Sequence, residues 1–296
     1  MRVVVSGSSG LIGTELCAQL RNSGHVVVPL VRRTPLAGEA QWDPKGETID
    51  SSAIDGADAV INLAGAGIGD KRWTTEYKQE LIDSRLKGTA LLASTISSVD
   101  KPPSVFLSGS AIGAYGPTGD EELTEQSPFG TTFLATLCKD WEAAAVSVPT
   151  ATRVVALRTG IVLSDKGGAL KKQLPLFKFG LGGKFGSGKP WQSWISLHDQ
   201  VAAIIHLLSS PLAGPVNLTA PNPVRGADFA KTLGTVMGRP SFLPVPAFGP
   251  KLLLGGELAD ALLFTGQRVL PAALLADEFQ FAHPTLSEAL TAILAR

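Results

Sequence analysis

The chain is poor in cysteine. Its 296 residues include two, Cys17 and Cys138, too few for a disulfide frame and without the spacing of a zinc site. Both read as small core residues. An excess of charge of either sign is also missing: 26 Lys and Arg residues balance 26 Asp and Glu. No dense basic stripe appears, which sets aside nucleic acid and an anionic membrane as favoured partners. Mean hydropathy is slightly positive, yet no apolar run has the length a bilayer-spanning helix needs. Met1 leads straight into a strand pattern, leaving no room for a signal sequence. These absences imply a soluble, cytoplasmic, globular protein without a metal centre. Its length suits a large α/β domain with a smaller lobe.

What the chain has in plenty is glycine, 32 residues, and the first three of functional interest stand at its start. An apolar run over residues 2–5 breaks into Ser6-Gly7-Ser8-Ser9-Gly10-Leu11-Ile12-Gly13 and then becomes helix-like. A strand, a glycine-rich turn and a helix start in that order make a dinucleotide-binding fingerprint. Gly7 permits the tight turn, Gly10 lets backbone amides approach a pyrophosphate, and Gly13 lets the helix pack against the sheet. A plain βα turn built from small residues is the competing reading.

Strand patterns recur at residues 25–31, 59–63, 104–107 and 153–157, and helical periodicity covers 74–97 and 131–146. This alternation predicts an α/β Rossmann-type fold, a doubly wound parallel sheet. Residues 196–199 read as a helix-start capping box before 201–208, with Asp199 as part of the cap. Residues 211–222 read as a last strand and turn. Two segments fall outside the alternation: 166–190, rich in glycine and lysine, and 242–256, rich in proline and glycine, before a mostly helical tail. The expected division is a Rossmann domain over 1–220, with 165–195 contributing to the substrate side, and a C-terminal lobe over 221–296.

The second strand pattern ends in Arg32-Arg33, with no Asp or Glu between His25 and Thr34. A carboxylate there would favour NAD through its ribose. Arginine suits the 2′-phosphate of NADP(H), unless both arginines are simply solvated. Gly65 closes the third strand pattern, where backbone can approach a cofactor. After the fourth, Ser108-Gly109-Ser110-Ala111 leads to Tyr115. A hydroxyl there could bond a substrate oxygen, or the segment is a serine-lined turn.

Together these motifs resemble the extended short-chain dehydrogenase/reductase superfamily, which includes nucleotide-sugar epimerases and dehydratases. The nearer likeness is to its atypical branch, the epimerase family with a C-terminal domain of unknown function. Markers of that branch span almost the whole chain, among them Trp42-Asp43-Pro44, Lys71-Arg72-Trp73, Ser84-Arg85, Asp140-Trp141-Glu142, Arg158-Thr159-Gly160 and Gln267-Arg268-Val269-Leu270-Pro271. The resemblance implies that Gly7, Gly10, Leu11, Ile12 and Gly13 hold the pyrophosphate and Arg32 the adenosine phosphate. It implies that Leu63 and Ala64 line the adenosine side and that Glu80, Arg85 and Val162 make further cofactor contacts. Gly186, Ser187, Gly188, Gln192 and Trp194 match the region where related epimerases hold substrate. Relatives often pair two protomers through helices matching 74–97 and 131–146, so a homodimer is also expected.

The likeness breaks at the acid–base pair. The superfamily's chemistry needs a tyrosine four residues before a lysine whose charge lowers the phenol pKa. Here the two tyrosines, Tyr77 and Tyr115, are followed at that spacing by Leu81 and Gly119. Aligned through Glu142, Leu134 replaces the tyrosine and Cys138 the lysine. Ser110 keeps its place, and Tyr115 is the first candidate for a substitute acid, ahead of Lys139 and His198. Two functions follow from the resemblance. One is an NADP(H)-binding oxidoreductase or epimerase-like enzyme acting on a small molecule, a nucleotide sugar being one class. The other is a catalytically inactive NADP(H)-sensing regulator, since some members of the branch carry a cell-division-inhibitor label.

Overall fold

Val3, Val4 and Val5 have no exposed surface, as befits a central parallel strand covered on both faces. The computed structural model describes residues 1–295. In chain order the elements are β1 (Arg2–Ser6), α1 (Leu11–Asn22), β2 (Val26–Val31), β3 (Ala40–Asp43), β4 (Thr48–Ile49), β5 (Ala59–Asn62), α2 (Thr75–Ser98), β6 (Val105–Ala111), β7 (Glu122–Leu123), α3 (Phe133–Ala145) and β8 (Arg153–Thr159). There follow β9 (Ile161–Leu163), α4 (Gly168–Lys178), β10 (Trp191–Gln192), β11 (Trp194–Ser196), α5 (Leu197–Ser209), β12 (Gly214–Leu218), β13 (Val224–Arg225), α6 (Gly226–Met237), α7 (Phe248–Leu254), α8 (Gly256–Ala259), β14 (Arg268–Val269), α9 (Ala272–Ala276) and α10 (Leu286–Leu294).

Eight strands form the main sheet in the order β12-β8-β6-β5-β1-β2-β3-β4. All neighbours run parallel except β3 and β4, a short antiparallel edge pair. This is the expected doubly wound Rossmann-type sheet. Side chains alternate across it with period two. Val3, Val5, Ile61 and Leu107 pack with Leu16 and Leu20 of α1 and Val201 and Ile204 of α5. Val4, Val60 and Phe106 face Leu92 and Ile96 of α2 and Ala145 of α3 on the other side. Thr74 caps α2 by accepting from the Tyr77 amide, and Thr132 caps α3 by accepting from the Ala135 amide, so both helix starts fall within two residues of their expected places.

The tail is mostly helical and shares its packing with the sheet domain. Leu274 and Phe279 join the cluster beneath α5. Leu286 and Leu290 of α10 pack with Leu170 and Phe177 of α4, Trp194 and Phe229 of α6. The lysine-rich segment therefore contains an unforeseen helix, α4, whose Leu170, Leu174 and Phe177 are buried. Ser196 is the cap of α5, bonded by the Asp199 amide at 3.1 Å. The Asp199 carboxylate is not part of that cap. It accepts from the amides of Ala282 (2.9 Å) and His283 (3.0 Å), fastening the tail to α5. Among the described residues no helix is long and apolar enough to cross a membrane.

Candidate functional site

The strand order turns back at β1, between β5 on one side and β2 on the other. Ligands of open α/β sheets bind in the crevice at the carboxyl ends of such strands. Here Ser6 Oγ donates to Asn62 Oδ1 (2.6 Å), and Asn62 Nδ2 donates to Thr89 Oγ1 (2.8 Å), which pins the two strand ends together. Gly7 has φ +70°, and a Cβ there would lie 2.7 Å from the Leu63 carbonyl carbon. A Cβ on Gly13 would collide with the Gly7 carbonyl oxygen. Gly10 is different. Its backbone is extended, it starts α1 as the N-cap, and no side chain caps the helix. The first-turn amides are thus left without a side-chain partner, at the positive end of the helix dipole. They face a cavity of about 330 Å³ lined by Gly7, Gly10, Leu11, Ile12, Gly13 and Leu63, with Ile161 and Val162 opposite. A tight turn that only glycine permits at Gly7 and Gly13, with open amides beside a cavity, fits a pyrophosphate.

At the end of β2, Arg33 is held by Glu39 through two bonds of 2.7 Å. Arg32, the exposed residue beside it, has no such partner among the described residues. Ala64 sits in the loop after β5, its amide 3.4 Å from Asn62 Oδ1. Glu80 is exposed and paired with Lys71. Neither Ala64 nor Glu80 is among the residues lining a cavity.

A second cavity, of about 200 Å³, opens beyond the first, and Ile161 borders both. Leu134 and Cys138, one turn apart on α3, stand on its wall with Arg85, Trp141, Trp191 and Gln192. Burial pushes the Cys138 thiol up to about 11, helped by the nearby Glu142 carboxylate. It is therefore neutral where a lysine would carry charge. Arg85 donates to the carbonyls of Leu81 (3.1 Å) and Ala66 (3.0 Å), lies over the Trp141 ring, and has its pKa lowered by burial.

Three expected positions come out differently. Trp194 does not face the cavity: it is wholly buried among Leu163, Leu170 and Phe229, and its indole N–H donates to the Asn222 carbonyl. Trp191 takes the cavity position instead. Gly186, Ser187 and Gly188 belong to a neighbouring turn and do not line the cavity. The Tyr115 hydroxyl lies inside the protein, donating to Asn217 Oδ1 (2.6 Å) and accepting from Arg158 Nη1 (2.9 Å). Burial raises its pKa. Turned away from the cavity, it is not placed to protonate a ligand.

Behind the wall runs a buried polar chain that the sequence reading did not assemble. Ser110 Oγ donates to Glu142 Oε1 at 2.6 Å. Arg158 meets the same carboxylate with Nε at 2.8 Å and Nη2 at 3.0 Å. Burial opposes the Arg158 charge, but the bonds to Glu142 and Tyr115 outweigh it and its pKa is raised. The sequence signal was an arginine just past the apolar strand pattern at 153–157.

Residues 3–219 match the NAD dependent epimerase/dehydratase family, and residues 245–293 match a domain of unknown function, DUF1731. Epimerase family protein ML0860 of Mycobacterium leprae is 44% identical over 98% of this chain and 94% of its own length. The human epimerase family protein SDR39U1 is 38% identical over the full length of both. The crystal structure of human SDR39U1 (isoform 2) with NADPH superposes with a TM-score of 0.92, covering 99% of each chain at 36% identity. With its Rossmann-type sheet, glycine turn and C-terminal segment all matched, the chain belongs to the NAD dependent epimerase/dehydratase family.

Proposed function

We propose that this protein binds NADP(H) along the first cavity, with its nicotinamide end in the second, and acts on a small molecule there as a slow oxidoreductase. The carrying observation is an uncapped α1 whose first-turn amides border a cavity lined by Gly7, Gly10 and Gly13. Gly7, Gly10, Leu11, Ile12 and Gly13 would hold the pyrophosphate, Leu63 and Ala64 the adenosine side, and Arg32 the 2′-phosphate. Arg85, Val162 and Glu80 complete the assigned contacts. The solved human relative with NADPH supports this choice of cofactor. Once bound, the nicotinamide supplies or accepts a hydride. Ser110 gives its proton to Glu142 and lies behind the cavity wall, so it does not protonate a carbonyl.

Cofactor choice is tested at Arg32. A charge-assisted phosphate contact is worth ~1.5–3 kcal/mol, roughly ten- to a hundred-fold in affinity. Arg32→Ala is expected to weaken NADPH binding by that factor and to leave NADH binding nearly unchanged, read by fluorescence titration of both. Equal losses would remove Arg32 from the site.

A positioned general acid or base contributes typically ~10²–10⁴ in rate. With Leu134 and Cys138 in place of the acid–base pair, turnover with carbonyl compounds or nucleotide sugars is expected to be slower by about that factor than in relatives that have it. Binding without any oxidation of NADPH, over long incubation, would favour the regulatory reading, in which the cofactor is sensed rather than used.

A further inference from the structure

The size and charge of the second cavity bear on what it holds. Its volume of about 200 Å³ lies below the ~300–1,000 Å³ of pockets that take drug-sized ligands. In the function proposed above, part of this space belongs to the nicotinamide, because Ile161 borders both cavities. What remains inside it suits a small reacting group.

Charge points the same way. Two guanidiniums stack on the Trp191 ring, Arg225 at 4.1 Å and Arg268 at 4.8 Å from its centroid. Each already has its own carboxylate: Arg225 meets Asp120, and Arg268 meets Glu122 at 2.9 Å. Arg225 also donates to the Lys189 carbonyl. Both pairs are partly exposed, and neither arginine lines the cavity. The one charged side chain among the described residues that line the cavity, Arg85, lies against Gly65, where a Cβ would be 3.3 Å from its Cζ. That places it beside the loop after β5, on the cofactor side. The rest of the wall is largely apolar, including Ile68, Ile112, Leu134, Leu137 and Leu262. Its uncharged polar groups include the carboxamides of Gln192 and Gln267. No side chain or backbone group among the described residues bonds either amide.

We propose that this cavity takes a small, uncharged, mostly apolar carbonyl compound or the matching alcohol, not a nucleotide sugar, with its oxygen bonded by Gln192 or Gln267. The proposal rests on the NADP(H) reading and deepens it.

The test is a binding measurement in which no turnover occurs. Protein is first titrated with NADP⁺, and the saturated complex is then titrated by calorimetry with benzaldehyde, 4-carboxybenzaldehyde or UDP-glucose. Benzaldehyde is expected to bind, 4-carboxybenzaldehyde at least about ten-fold more weakly, and UDP-glucose not at all. Leu134 is half-buried on the first turn of α3, so bulk there should be tolerated by the fold. Leu134→Trp is expected to weaken benzaldehyde at least about ten-fold more than it weakens NADP⁺. Leu134→Ala is expected to admit the larger 2-naphthaldehyde. Saturable NADP⁺ binding with no benzaldehyde response, or tighter binding of UDP-glucose or the carboxylated probe, overturns the proposal alone. A flat NADP⁺ titration removes the cofactor reading and this one with it.

Discussion

Arg158→Met is expected to lower unfolding stability by about 3–5 kcal/mol, the usual result of removing one partner of a buried ion pair. At ~2–4 °C per kcal/mol for larger domains, the melting temperature should fall by on the order of 10 °C. The side chains of Arg158 and Glu142 are 4% and 13% exposed. Without the guanidinium, Glu142 keeps only the Ser110 hydroxyl among its side-chain donors. A carboxylate stranded there must be desolvated without compensation. Tyr115 would also lose the N–H it accepts. The companion variant separates net worth from the penalty of stranding a charge. Replacing both members, Arg158→Met with Glu142→Met, should recover most of the loss, because well-packed apolar pairs often match buried ion pairs. Arg158→Lys should fall between, since an ammonium cannot reproduce the two-point contact of a guanidinium. Chemical denaturation of the four proteins reads all of this. A loss under about 1 kcal/mol for Arg158→Met would mean that the pair does not brace the wall behind Cys138.

What the sequence disclosed and what it hid divide along the range of the interactions involved. β1, the glycine turn and the starts of α2 and α3 are local: each rests on residues within a few positions of one another. The misread positions depend on distant partners. Residues 108–111 read either as a source of a substrate-bonding hydroxyl or as a serine-lined turn after the strand, but they continue β6, paired with Ala156–Thr159 of β8. Gly109 is needed there because a Cβ would lie 2.6 Å from the Trp141 ring, a residue of α3. No local propensity carries that information.

The two tryptophans make the same point. The family resemblance put Gln192 and Trp194 in one region, and in an unbroken strand they would share a face. The strand is interrupted at Ser193, whose hydroxyl donates to the Gln267 carbonyl and accepts from the Val269 amide. That interruption ends the alternation, so Gln192 lines the cavity and Trp194 enters the core. Asp199 was legible as a residue near a helix start but not as a latch, because its two donors lie more than eighty positions further on. The site residues recoverable from sequence were those with a motif. Glu142 and Arg158 appeared only as separate markers until the fold joined them.

The largest expected loss of ligand binding is at Gly10, and the structure makes it the cleanest of the three glycines to test. Gly7 needs its positive φ, and both Gly7 and Gly13 press on neighbouring backbone. Substituting either should destabilise the protein with or without ligand, so a loss of binding there would be ambiguous. Gly10 has an extended backbone, and a Cβ would stand 3.3 Å from the Gly7 carbonyl oxygen, its one near neighbour. Gly10→Val should therefore fold, losing about 1 kcal/mol for a poorer N-cap residue. Its branched side chain would occupy the space through which a pyrophosphate reaches the open amides of α1. NADPH affinity is expected to fall at least roughly a hundred-fold, about 2.7 kcal/mol. The same result should appear in melting experiments. Wild-type protein at NADPH about a hundred times its Kd gains about 2.7 kcal/mol from ligand, whereas the variant should gain almost nothing at that concentration. Calorimetry gives the affinity directly, and melting without ligand reports whether the fold survived. A Gly10→Val protein that binds NADPH as tightly as wild type would falsify the phosphate cradle, whatever the fate of the other two glycines.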